Sequence, residues 1–187
     1  DLKYSLITAE AFPIDLAVDW SRCVPNAKII NLYGPTENTV WSSYYEFSQN
    51  QYNKSYNGIL SIGKAMSGTK IIIIDEKNQV LPFGEKGELC LSGIQLTPNY
   101  WGNDEKNKIP FFYLDYKNKS SRFYKTGDLC SLDEEGDIFF MGRIDFQAKI
   151  QGFRVELSEV EYHAKMFLKK KNVVAVVNTN ITGNTEL

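Results

Sequence analysis

The 187-residue chain has one histidine, His163, and three cysteines, Cys23, Cys90 and Cys130. A lone imidazole inside a helical pattern, with no serine or cysteine placed to form a triad, argues for a structural histidine and against His-dependent nucleophilic catalysis. The thiols lack metal-ligand spacing, and an odd count argues against a disulfide framework; they read as the reduced thiols of a cytoplasmic protein. Long hydrophobic runs are missing too. The longest aliphatic one, Ile71-Ile72-Ile73-Ile74, is far too short to span a membrane and reads as a buried strand. The N-terminus has no signal-peptide pattern. Excess charge is also absent: 21 basic residues against 23 acidic leave a net charge of −2. Lys169-Lys170-Lys171 is explained by a solvated helix end, so nucleic acid is not an expected partner. What remains is an ordinary globular composition, 43% hydrophobic and 24% charged, in a chain long enough for one domain or parts of two. It opens at Asp1 rather than methionine and runs at once into a strand-like segment, as an excised piece would.

Residues 4–8 read as a strand. Pro13 suits the first turn of a helix reaching about residue 22, where its missing N–H costs nothing. Residues 27–33 read as a second strand. Strand, helix, strand is the pattern of a parallel α/β layer. Ligands in such layers sit past the carboxyl ends of strands, which is where Tyr33-Gly34-Pro35-Thr36 falls. Residues 39–47, rich in β-branched and aromatic side chains, read as a further strand. From about residue 58 to 141, short β-like runs (70–75, 87–91, 123–125, 137–141) alternate with turn signals such as Pro82-Phe83-Gly84-Glu85. That spacing argues for a twisted antiparallel sheet or a small barrel. Residues 103–122, rich in Asn and Lys, read as an exposed loop. After Arg143 the pattern resets, with a short strand over 147–150. A capping box, Ser158-Glu159-Val160-Glu161, opens a helix to about residue 170, and residues 172–178 form a closing strand.

Three segments carry candidate chemistry. In Asn31-Leu32-Tyr33-Gly34-Pro35-Thr36-Glu37, Tyr33 offers a flat face for stacking a nucleobase. Gly34 lets the backbone approach a ligand and Pro35 stiffens the turn. Thr36 has a hydroxyl for a phosphate oxygen, and Glu37 a hard carboxylate oxygen suited to Mg²⁺. A loop with a capping threonine would explain the same residues. In Tyr124-Lys125-Thr126-Gly127-Asp128-Leu129, the two acceptor oxygens of Asp128 match the paired hydroxyls of a ribose; a turn-forming aspartate is the alternative. In the third, Gly142-Arg143-Ile144-Asp145-Phe146-Gln147, the guanidinium of Arg143 suits ribose or phosphate oxygens, or a surface ion pair with Asp145 or Asp137. Glu85-Lys86-Gly87-Glu88-Leu89-Cys90-Leu91-Ser92-Gly93 and Asn99-Tyr100-Trp101 read as structural, the glycines allowing tight crossings and the aromatics filling the core.

Taken in order, and with Lys149-Ile150-Gln151-Gly152-Phe153-Arg154-Val155-Glu156, these segments resemble the adenylate-forming (AMP-binding) enzymes. Within these they resemble the amino-acid adenylation domains of peptide synthetases and the D-alanine–carrier-protein ligases, over about residues 6–161. The proline after Tyr33-Gly34 leans to this amino-acid branch, and Phe146-Gln147 to the D-alanine ligase type. The resemblance implies a mixed α/β fold. Residues 1–55 would end a parallel α/β layer, 56–144 form a distorted antiparallel β-barrel, and 145–187 contain a hinge at Asp145 and the start of a small α+β domain. It implies a nucleotide site of Asn31, Leu32, Tyr33, Gly34, Pro35, Thr36, Asp128, Phe140, Met141, Gly142 and Arg143, with Thr36, Glu37 and Arg143 catalytic and Glu37 holding Mg²⁺. The substrate pocket would be walled by Leu6, Thr8, Leu32, Val40 and Trp41, apolar enough for a small or medium uncharged side chain, with D-alanine, another amino acid and an aryl acid all left open. The implied reaction uses ATP to activate an amino acid as its adenylate, then transfers it to the phosphopantetheine thiol of a carrier protein. An acyl- or aryl-CoA synthetase of the same superfamily, or a non-catalytic interaction module derived from it, are the alternatives. The family's phosphate loop and late catalytic lysine have no counterpart in these 187 residues, which are therefore expected to be inactive alone.

Overall fold

The computed structural model describes every residue except Asp1, Phe146, Gln151, Gly152, Lys170, Lys171, 180–184 and Leu187, and the side chains of Lys149, Arg154, Ser158, Thr179, Thr185 and Glu186. The expectations attached to Phe146, to Gln151 and Gly152, and to most of the basic run lie outside the described residues. The chain divides into two compact units, Asp1–Gly142 and Arg143–Leu187.

The first unit opens with β1 (Tyr4–Ile7), α1 (Ile14–Cys23) and β2 (Lys28–Tyr33). β1 and β2 pair in parallel, Ser5 opposite Ile29, as the strand–helix–strand pattern requires. Pro13, at φ −63° and ψ 138°, sits just before the helix rather than inside its first turn. Ala17 of α1 packs with Phe12, Ile29, Phe47 and Leu60 in one core cluster. After a 3₁₀ turn, Thr36–Asn38, the chain returns as β3 (Ser43–Phe47), antiparallel to β2. The short strands β4 (Ser55–Tyr56) and β5 (Ile59–Leu60) form a hairpin, and β6 (Lys64–Ala65) completes a sheet of order β1-β2-β3-β6.

Next come β7 (Thr69–Ile74), β8 (Lys86–Gly93), α2 (Asp104–Asn107), β9 (Phe111–Tyr116), β10 (Lys119–Leu132) and β11 (Ile138–Arg143). They form an antiparallel sheet of order β11-β10-β8-β7, with β9 also on β10. Among the described residues no pairing joins β7 to β11, so this sheet is an open path. Both of its faces are covered, which is why the isoleucine run has no polar alternation. Ile73, Leu89, Leu91, Cys130 and Ile138 face one cluster with Tyr33 and Ile62. Ile72, Ile74, Cys90 and Phe123 face another. Each such buried aliphatic side chain contributes roughly 1.5–3 kcal/mol. Lys54, just before β4, ties the β4–β5 hairpin to the larger sheet: its Nζ donates to Asp133 (2.7 Å), Glu135 (2.9 Å) and Asp137 (2.8 Å) in the β10–β11 turn.

The second unit contains the hairpin β12 (Gln147–Ile150) and β13 (Phe153–Glu156), α3 (Leu157–Leu168), and the short pair β14 (Asn178–Thr179) and β15 (Thr185–Glu186). His163 lies in α3 with its ring edge-on to Tyr162 at 5.3 Å. Among the described residues no helix is long and apolar enough to cross a membrane.

Four sequence expectations are corrected. The strand expected from Thr39 begins only at Ser43, because residues 36–42 turn on themselves. The expected loop over 103–122 contains α2, β9 and the start of β10, whose turn uses the left-handed pair Lys117 and Asn118. The helix of the capping box begins at Leu157, with Glu156 as the residue before it. The closing strand over 172–178 reduces to β14.

Candidate functional site

The end of β2 carries the first motif. Asn31 is buried, its Nδ2 donating to the Ser61 carbonyl at 2.9 Å. Leu32 and Tyr33 are buried beside it. At Gly34 the returning chain passes so closely that a Cβ would lie 2.3 Å from the Val40 carbonyl oxygen and 2.8 Å from the Ser42 nitrogen. Only glycine fits there, and the Ser42 N–H donates to the Tyr33 carbonyl at 2.7 Å across the gap. After Pro35 the 3₁₀ turn sends Thr36 outward and Glu37 inward, so neighbouring residues have opposite environments.

The second motif is placed by a bulge. β10 pairs with β8 up to Lys125 and again from Leu129, with a register shift between. Gly127 takes φ 73° there, and its N–H donates to Glu88 at 3.0 Å. Thr126 Oγ1 donates to the Leu89 carbonyl (2.8 Å) and accepts from the Asp128 N–H (3.1 Å). The bulge turns Asp128 into the interior, 4% exposed, where its carboxylate accepts a hydrogen bond from the Tyr33 hydroxyl. Two segments 95 residues apart in sequence thus meet directly. Burial first, and then the Asp128 charge, pushes the Tyr33 phenol well above its ordinary range, so it remains a neutral donor. The same two causes push the Cys130 thiol up.

Sequence reasoning gave residues 99–101 a core-filling role and missed that this stretch buttresses the first motif. Residues 95–100, following β8, lie along the 36–41 turn. Thr97 N–H donates to the Glu37 carbonyl at 2.8 Å, and the Tyr100 hydroxyl donates to Glu37 Oε1 at 2.5 Å. The Tyr100 hydroxyl also lies 3.5 Å from that of Tyr124, making a second link between the motifs. Burial, then the bond to Glu37, raises the Tyr100 phenol. Of the aromatics expected to fill the core, Tyr100 therefore supports Glu37, while Trp101 is 100% exposed. The legible signal was a tyrosine with a polar handle among small and polar neighbours.

The other sequence-derived positions are spread wider. Phe140 is partly buried against the cluster containing Tyr33, and Met141 and Gly142 follow it along β11. Leu6 and Thr8 are exposed, as are Val40 and Trp41, whereas Leu32 is in the interior. Arg143 and Asp145 belong to the second unit. There Arg143 Nε donates to Asp145 Oδ1 at 2.7 Å and Nη2 to both Asp145 Oδ2 and Gln147 Oε1, the latter at 2.7 Å. This is the ion pair with Asp145 that the sequence offered as an alternative role for Arg143. Gln147 in turn donates to Glu156 across the β12–β13 hairpin.

As a metal donor, Glu37 offers one buried carboxylate, and among the described residues no three His, Cys, Asp or Glu side chains gather into a cage. That donor set fits Mg²⁺, which keeps waters and phosphate oxygens in its shell and needs only one or two carboxylates.

Comparison with known proteins identifies the family. A family model described as AMP-binding enzyme matches residues 1–101. Bacitracin synthase 1 of Bacillus licheniformis is 39% identical over 142 residues, covering 74% of this chain and 3% of the synthase. The D-alanine–D-alanyl carrier protein ligase of Lactiplantibacillus plantarum is 34% identical over 178 residues, 94% of this chain and 33% of the ligase. The crystal structure of the Vibrio cholerae adenylation domain AlmE in complex with glycyl-adenosine-5'-phosphate matches with a TM-score of 0.82 at 30% identity, over 98% of this chain and 34% of that one. The chain thus spans about a third or less of each of these proteins, and its mixed α/β fold is that of an adenylation domain. With a family match over more than half its length, the chain belongs to the AMP-binding enzyme family.

Proposed function

We propose that this chain is part of an ATP-dependent ligase that converts an amino acid to its aminoacyl-adenylate and passes it to the phosphopantetheine thiol of a carrier protein. The observation carrying this reading is the buried hydrogen bond from Tyr33 to Asp128, which brings the aromatic turn and the acidic bulge to one place. By resemblance these segments hold adenine and ribose. In the first step an oxygen of the substrate carboxylate forms a bond to the α-phosphorus of ATP, and the bond to pyrophosphate breaks. Positioning and charge neutralisation do most of the work in such a displacement. Asp128 would accept from the ribose hydroxyls, exposed Thr36 would donate to a phosphate oxygen, and Arg143 would offset the developing charge. Glu37, aligned by Tyr100, would hold Mg²⁺, which when bound neutralises phosphate charge. Leu6, Thr8, Leu32, Val40 and Trp41 would form the side-chain pocket, with Asp145 as the hinge for the second step. In the second step the thiol sulfur bonds to the acyl carbon and AMP leaves.

The D-alanyl ligase and AlmE support an amino-acid substrate by their own names, and the Gly34-Pro35-Thr36-Glu37 segment favours it over the fatty-acyl and acetyl-CoA branches. The test is ATP–pyrophosphate exchange by the full-length gene product with D- and L-amino acids, fatty acids and aryl acids. Exchange with one amino acid is expected, together with AMP affinity that drops about 10–100-fold in Asp128→Ala as charge-assisted hydrogen bonds are lost. Exchange only with fatty or aryl acids would replace the amino-acid reading. AMP binding indifferent to Asp128→Ala would end the nucleotide reading.

A further inference from the structure

Thr39 and Val40 combine β-branched side chains with left-handed backbone, at φ 51° and φ 71°. Non-glycine residues seldom adopt this conformation and β-branched ones hardly ever do, so the surroundings must impose it. On one side, Gly34 leaves the space that the Val40 carbonyl occupies, and Ser42 is pinned to Tyr33. On the other, Thr39 Oγ1 donates to the Gln95 carbonyl at 2.7 Å, and Gln95 Nε2 reaches the Trp41 carbonyl at 3.4 Å. Gln95 is itself anchored, its Oε1 accepting from Thr69 of β7 at 3.0 Å. Two residues on, Arg122 donates to the carbonyls of Thr97 (2.8 Å) and Pro98. Beyond this clamp Val40 is 58% and Trp41 36% exposed: a strained backbone presents two apolar side chains outward.

We propose that Thr39 is a positioning residue for substrate selectivity: its bond to Gln95 fixes the backbone that sets the placement of Val40 and Trp41. The selectivity role rests on the proposed function, in which these two side chains wall the amino-acid pocket. Thr39 lies outside that wall, so loosening it blurs discrimination by side-chain size rather than slowing the displacement at phosphorus. A misplaced apolar wall changes the fit of about one methylene group, worth ~10-fold or more in discrimination.

The experiment compares Thr39→Val, which removes the hydroxyl but keeps the shape, with Thr39→Ser, which keeps the hydroxyl, in the full-length gene product. In Thr39→Val the KM for the preferred amino acid rises about 10-fold, and its preference over the next larger homologue falls by a similar factor. The kcat and the KM for ATP stay within about twofold, and Thr39→Ser restores selectivity. Amide hydrogen exchange at Trp41 and Ser42 accelerates about 10-fold in Thr39→Val, matching the loss of one hydrogen bond, and not in Thr39→Ser. Unchanged exchange overturns the clamp; faster exchange with unchanged selectivity overturns the role in specificity. If the wild type activates no amino acid, the functional reading fails and takes the selectivity role with it, while amide exchange still reports on the clamp. Should Thr39→Val not fold, Gln95→Ala, which keeps the carbonyl that Thr39 bonds but removes the side-chain amide at the Trp41 carbonyl, loosens the same backbone and shifts selectivity in the same direction. An unshifted preference there counts against the proposal.

Discussion

The chain carries two arrangements centred on an aspartate, and they differ in nearly every physical respect. Asp128 is 4% exposed and accepts from a neutral phenol whose own charging is blocked by burial. Asp145 has a side chain 40% exposed and is paired with a permanent cation in a ladder of polar side chains. Water does not compete for the first contact, so its loss leaves a buried group short of a donor. Water reaches the Asp145 end of the second, although the Arg143 side chain is only 15% exposed, so its net contribution is smaller despite its larger charges. The ligand-binding role proposed for Asp128 calls for the first kind. The second lies beside the division between the two units, which falls after Gly142.

Breaking the buried arrangement should have the largest effect. Tyr33→Phe removes the donor to Asp128 while keeping the ring, and should cost ~1–3 kcal/mol of stability by denaturant unfolding. A cost near zero would erase the contrast with Asp145. The Lys54 network lies between the extremes and adds pH dependence. Hydrogen bonds donated to three carboxylates raise the Lys54 ammonium above its ordinary value. Burial pushes the Asp133 carboxyl up, but the bonds from Lys54 and from backbone N–H groups outweigh it and hold it below its ordinary value. The raised cation stabilises fully below its unfolded value and less as pH climbs through about 10.5 and beyond. The lowered carboxyl stabilises above about 4 and less as pH falls below it. Lys54→Ala should therefore cost ~1 kcal/mol between about pH 5 and 10, shrinking toward both ends and in high salt. A cost independent of pH would mean packing, not charge, joins the β4–β5 hairpin to the larger sheet there. Smallest is Asp145→Ala, at no more than ~1 kcal/mol in thermal unfolding. A larger loss would show that the exposed ladder holds the second unit together.

Local pattern was enough for the parts of the fold governed by local rules. The β1–α1–β2 segment, β7, β8, β12 and α3 lie within a few residues of where periodicity put them, because burial on one or both faces writes itself into the residue order. Residues 39–42 were misread, because two β-branched residues imply a strand until a glycine five residues upstream lets the chain fold back. The β9–β10 hairpin hid behind its Asn- and Lys-rich turn, although Phe111, Phe112, Phe123 and Tyr124 bracket it symmetrically. Within the site, the meeting of Tyr33 with Asp128 could be anticipated from resemblance. The support of Glu37 by Tyr100 could not, since nothing local to either residue announces a contact between positions 63 apart.

The junction of Tyr33 with Asp128 also bears on how the molecule comes into being. A contact spanning 95 residues closes a large loop, and the entropy of that closure must be met before the contact stabilises anything. During synthesis the aromatic turn leaves the ribosome long before its acidic partner exists. The proposed nucleotide cleft is accordingly a late product of folding, and a half-made unit has no rudimentary version of it to offer.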